Sequence, residues 1–110
     1  MKSFKLENMI KGWFIGNFYP TALETQACEV AIKKYSAGDF EDTHYHKLAT
    51  EVTLIVSGQV KMAGQVWFEG DIIVLFPNEE TDFLSITDAI TVVVKYPGAS
   101  NDKYITQKFV

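Results

Sequence analysis

Residues 26–96 form a series of short apolar runs cut apart by turn-forming residues. The breaks fall at Ser36-Ala37-Gly38-Asp39, Ser57-Gly58-Gln59, Ala63-Gly64-Gln65, Glu69-Gly70-Asp71 and Pro77-Asn78. No run between them keeps a helical period, and the apolar positions are rich in β-branched residues. Runs of this length, closed by Gly, Pro and Asn at roughly 8–12-residue spacing, predict an all-β sandwich or barrel. Strands are expected over 26–35, 44–46, 52–56, 60–62, 66–68, 72–76 and 90–96. Within 26–35, Val30 and Ile32 face one side and Ala31 and Lys33 the other. In the acidic stretch 79–88, Glu79, Glu80 and Asp88 read as a solvated face, and they would disfavour anionic ligands if they rimmed a pocket mouth.

The remaining segments carry less signal. Residues 1–12 predict a short strand or helical turn. Residues 13–20 hold four aromatics and read as an edge strand ended by Pro20, or as a contact between two copies of the chain. The polar tail 99–110 is expected to order in part against a neighbour. With 110 residues, one domain spanning 1–110 is expected, its barrel core at about 14–96.

The formal net charge of −4 argues against nucleic acid as a partner. The longest aliphatic and aromatic run, 72–76, is too short to span a membrane. The N-terminal residues lead into no apolar segment of a secretory signal. Cys28 is the single cysteine, so no internal disulfide forms, which fits a reducing, cytoplasmic setting.

Both histidines of the chain, His44 and His46, stand one residue apart. On a strand they share a face. Glu51 follows closely enough for a neighbouring antiparallel strand to bring its carboxylate beside the imidazoles. Two imidazoles and a carboxylate can hold a divalent transition metal with coordination positions left open. Tyr45 points the opposite way. Met62, Trp67, Phe76 and Phe83 are placed as core or cavity-lining residues.

The stretch from Gly38 through His44, His46 and Glu51 to Gly58 resembles the first motif of the cupin family, G-x5-H-x-H-x3,4-E-x6-G, at every fixed position. The resemblance implies a double-stranded β-helix, a small jelly-roll barrel with the motif histidines facing its lumen. It also implies a divalent metal (manganese, iron, zinc or nickel), a small-molecule ligand and a homodimer. The implied activities are those of a dioxygenase, an isomerase or a decarboxylase. The second cupin motif, G-x5-P-x-G-x2-H-x3-N, is degenerate. Pro77 comes one residue late after Gly70, Glu79 stands at the second glycine position and Asp82 at the histidine position. Two sites follow: four ligands, with Asp82 (Glu80 being the weaker choice) joining His44, His46 and Glu51, or three ligands without it. A barrel that has lost the metal would use the histidines as polar residues of a plain binding pocket, in a sensor or accessory module.

Overall fold

The computed structural model describes residues 1–106. After a 3-10 turn at Leu6–Asn8, ten strands follow: β1 Trp13–Ile15, β2 Glu29–Tyr35, β3 Phe40–His46, β4 Thr50–Ser57, β5 Val60–Met62, β6 Gln65–Trp67, β7 Ile72–Leu75, β8 Thr81–Ser85, β9 Ala89–Tyr96 and β10 Lys103–Ile105. They form two five-stranded antiparallel sheets, ordered β1-β2-β9-β4-β7 and β10-β3-β8-β5-β6. The all-β expectation holds. Three details differ from it. The acidic stretch contains a strand, β8, which the run of surface charges conceals. Part of the tail pairs with β3 as β10, while residues 107–110 of that tail lie outside the described residues. And β3 and β4 belong to different sheets, so Glu51 reaches the histidines across the barrel rather than along a hydrogen-bonded ladder.

Alternation sets what faces inward. On β4, Glu51, Thr53 and Ile55 are buried while Val52 and Leu54 are not; on β9, Ala89, Thr91 and Val93 are buried between partly exposed neighbours. The apolar core, Ile55, Val60, Met62, Ile73, Leu75, Phe83 and Ala89, packs with Tyr35 and Trp67 at its border. Phe76, placed inside from its apolar run, is instead 59% exposed, because β7 ends at Leu75 and its alternating pattern turns Ile72 and Val74 outward. Two apolar rows cross the outer face of the first sheet: Ile32, Val92, Leu54, Ile72 and Val30, Val94, Val52, Val74.

Two motif residues close turns. Gly58 takes φ +85° in the β4–β5 turn, and a Cβ there would lie 2.2 Å from the Asp88 carbonyl oxygen. Gly38 takes φ +91°, with open space around it. Positive φ favours glycine at both, and only Gly58 also needs the missing Cβ.

Candidate metal centre

The β3 strand delivers His44 and His46 to one inner face, both about 95% buried. Their ligand atoms and those of Glu51 all lie within 4.8 Å of one another. Each imidazole is held through Nδ1: that of His44 lies 2.9 Å from the Asp42 carbonyl oxygen, and that of His46 lies 3.0 Å from the Asp102 carbonyl oxygen. Carbonyl oxygens only accept, so both Nδ1 atoms carry a proton, and in the neutral imidazoles each Nε2 is left with its lone pair. Nε2 of His46 is buried with no hydrogen-bond partner and faces Glu51 Oε1 at 3.8 Å. An unpartnered buried nitrogen is costly unless something else satisfies it.

Burial opposes the charged form of Glu51. Its carboxyl is nevertheless held below the ordinary value, because attraction to His46, with Lys95 and His44 behind it, outweighs burial. At 3.8 Å the attraction from His46 is the Coulombic pull of the imidazolium form rather than a hydrogen bond. The carboxylate is therefore ionised at neutral pH, as a metal ligand requires.

The Asp102 carboxylate fastens the connection between the two halves of this group. It accepts the backbone N–H groups of Lys47 (3.1 Å), Leu48 (3.0 and 3.1 Å) and Ala49 (2.9 Å). Those three residues join His46 to the start of β4, one residue before Glu51. Asp102 thus holds His46 through its carbonyl and the β3–β4 loop through its carboxylate.

A small chamber of about 30 Å³ lies among Tyr35, Glu41, His44, Glu51, Thr53 and Thr81. It suits a water or an ion rather than a substrate. Tyr35 and Glu41 also line an outer cleft of about 740 Å³ with Lys33, Lys11 and Phe40, a volume in the range of small-molecule sites. Burial, Glu41, Glu51 and Asp39 all push the Tyr35 hydroxyl upward, so it stays protonated. A register irregularity in β3 between Glu41 and His44 lets both line the chamber, although residues three apart on a regular strand face opposite ways.

The structure brings together His44, His46 and Glu51 and leaves Asp82 out. Asp82 is exposed on β8 between buried Thr81 and Phe83, so strand alternation turns it outward. Thr81, the ladder partner of His44, takes the inward position. Glu80 is also exposed. Tyr45 points away from the histidines and stacks on Tyr104, with ring centroids 5.5 Å apart. Sequence reasoning missed Glu41, Tyr35, Lys33, Lys95 and Asp102. The first two needed the strand irregularity and the barrel closure to be known. Asp102 carried no signal, because its partners lie over fifty residues away. Lys33 was legible, since Ala31, Lys33 and Tyr35 share one strand face.

No protein-family model matches the sequence, and no curated protein matches it. Solved structures do resemble it. An uncharacterized conserved protein with a double-stranded β-helix domain from Klebsiella pneumoniae is 21% identical, with TM-score 0.70, over 79% of this chain and 76% of that one. An RmlC-like cupin from Shewanella frigidimarina is 21% identical, with TM-score 0.62, over 71% and 72%. Oxalate decarboxylase of Bacillus subtilis, a protein with Mn(II) centres, is 15% identical, with TM-score 0.61, over 74% of this chain and 24% of that one. Two facing antiparallel sheets and these likenesses make the fold of this chain the double-stranded β-helix of the cupins.

Proposed function

We propose that the chain is one cupin domain that holds a divalent transition metal on His44 Nε2, His46 Nε2 and Glu51, and that it binds or transforms a small organic molecule at the barrel mouth. The observation that carries this is the buried, unpartnered Nε2 of His46, aimed at the Glu51 carboxylate while both Nδ1 atoms are occupied. Two imidazoles with one carboxylate suit manganese, iron, zinc or nickel, and the bound metal would supply Lewis acidity and open positions for ligand oxygens. The chain's own residues supply the rest. Tyr35 presents a hydroxyl that remains protonated, Glu41 presents a carboxylate to the same chamber, and the apolar core closes the far side against water. Under this reading the protein is an enzyme of dioxygenase, isomerase or decarboxylase type. The metal and the cleft equally serve a non-catalytic sensor, which would retain its ligand without turnover.

The two apolar rows on the outer face of the first sheet support a homodimer through sheet-on-sheet packing. This moves the proposed contact away from the aromatic segment 13–20, because Trp13 stacks with Lys33 and Lys95. The half-buried free Cys28 is consistent with a cytoplasmic protein. No helix among the described residues is long and apolar enough to cross a membrane.

Elemental analysis of protein purified without a histidine tag tests the centre. Wild type is expected to carry or take up near-stoichiometric metal, His46→Ala and Glu51→Gln to lose it, and Asp82→Ala to keep it. A wild-type protein that takes up none of manganese, iron, zinc or nickel overturns the reading.

A further inference from the structure

The inner face of β9 carries Ala89, Thr91 and Val93, and Thr91 pairs with Ile55 on β4 and with Lys33 on β2. A valine would suit that position, because Ala89, Val93 and Ile55 around it are buried and apolar. A hydroxyl stands there instead. Thr91 is 1% exposed, and among the described residues its Oγ1 has no hydrogen-bond partner. A buried hydroxyl that has left water without a new partner carries a cost that an apolar group of the same shape would not. Such groups are served by an ordered water where there is room for one and where other polar groups converge.

Both conditions hold at Thr91. It lines the chamber of about 30 Å³, which has room for a water but not for an organic ligand. The Thr81 hydroxyl lines the chamber too, but it is engaged: it donates to the Asp82 carbonyl oxygen at 2.7 Å and accepts the Ala63 N–H at 3.0 Å. The Glu41 side chain and the Tyr35 hydroxyl share the space with Thr91. A carboxylate accepts, and a phenol both donates and accepts. These groups come from opposite walls. Thr91 and Tyr35 stand on the first sheet, and Glu41 stands on the second, where it pairs with Phe83. Glu41 and Tyr35 also line the outer cleft, whereas Thr91 lines the chamber alone.

We propose that the chamber is a binding site for one internal water, which accepts the Thr91 hydroxyl, donates to the Glu41 carboxylate and so joins the two sheets beside the metal-binding group. The Tyr35 hydroxyl is its third partner, within the two to four that a buried water uses. The inference goes beyond the metal reading and does not rest on it. Its consequence concerns Glu41. The water fixes that carboxylate on the chamber side, between the outer cleft and the pair His44 and Glu51, and makes Glu41 a positioning residue rather than a solvated surface acid.

The test is water-oxygen magnetic relaxation dispersion, which counts long-lived internal waters, on zinc-loaded wild type and on Thr91→Val, Thr91→Ser and Glu41→Leu. Wild type is expected to hold one more such water than Thr91→Val or Glu41→Leu, and Thr91→Ser, which retains the hydroxyl, is expected to keep it. Thermal melts give an independent sign. With the water present, Thr91→Val strands it and the midpoint falls by about 4 °C. Without it, the substitution removes a costly hydroxyl and the midpoint stays or rises. Circular dichroism of each variant confirms that the fold is kept. An equal water count in wild type and Thr91→Val overturns the proposal, and so does a midpoint that stays or rises in Thr91→Val. A water retained in Glu41→Leu overturns the role given to Glu41. A wild type that takes up no zinc counts against the metal reading alone, since the water count and the melts are read on the same protein without it.

Discussion

Asp102 is 5% exposed, and its two oxygens accept N–H groups from three consecutive residues. The Ala49 N–H is buried and the other two are part-buried, and N–H groups so placed, once deprived of their acceptor, keep part of the cost of leaving water. Asp102→Ala is therefore expected to lower unfolding free energy by about 1–3 kcal/mol in urea denaturation at neutral pH. It should also weaken metal uptake, because the loop it fastens joins His46 to β4. The pH dependence follows from its carboxyl. Burial raises it, but the N–H groups of Ala49, Leu48 and Lys47, together with His46, outweigh burial and hold it below its ordinary value. A carboxyl lowered in the folded state contributes stability fully above the unfolded value, about 3.9, and loses it as pH falls through the folded value. The stability gap between wild type and Asp102→Asn should thus be full at pH 7 and narrow below about pH 4. A gap that stays constant on acidification would show that the ionised carboxylate is not what holds the loop.

Among the elements, the β4–β5 turn and the irregular strand place the site. The β4–β5 turn carries the chain from the first sheet to the second and packs against the start of β9, the strand whose Lys95 pairs with Glu51. Gly58 is wedged there against Asp88 and Ala89, with an alanine Cβ calling for an approach of 2.2 Å to backbone. Gly58→Ala is expected to cost more than Gly38→Ala. Gly38→Ala carries only the penalty of positive φ, about 1 kcal/mol, whereas Gly58→Ala must also move the start of β9. Thermal melts of the two variants compare them directly, and equal losses would contradict the packing argument. In β3, the irregularity between Glu41 and His44 does something no regular strand does: it puts a carboxylate and an imidazole three residues apart into one chamber.

At the scale of the whole molecule, the two sheets leave one face apolar in the open. Ile72 is 62% exposed and Val74 43% exposed at one edge of the double row. Burying such a face against a second copy removes apolar area from water at about 25 cal/mol per Å². Wild type is expected to sediment as a dimer at micromolar concentration, and the double variant Ile72→Lys/Val74→Lys as a monomer with an unchanged circular dichroism spectrum. A monomeric wild type would remove this surface as the contact. The β-class of the fold, the alternation on β2, β4 and β9 and the pairing of His44 with His46 on one face were all legible in the sequence, because each is a local consequence of side chains alternating along an extended chain. Gly58 was legible too, since a tight turn between apolar runs asks for it. The ligand-set choice was not: counting from Pro77 pointed to Asp82, and the pairing of β8 with β3 turned Asp82 outward and Thr81 inward. The position of Glu51 across the barrel, the hold of Asp102 on the β3–β4 loop and the two lysines around Trp13 join residues far apart in the chain. Local spacing carries no information about such contacts; barrel closure alone brings them together.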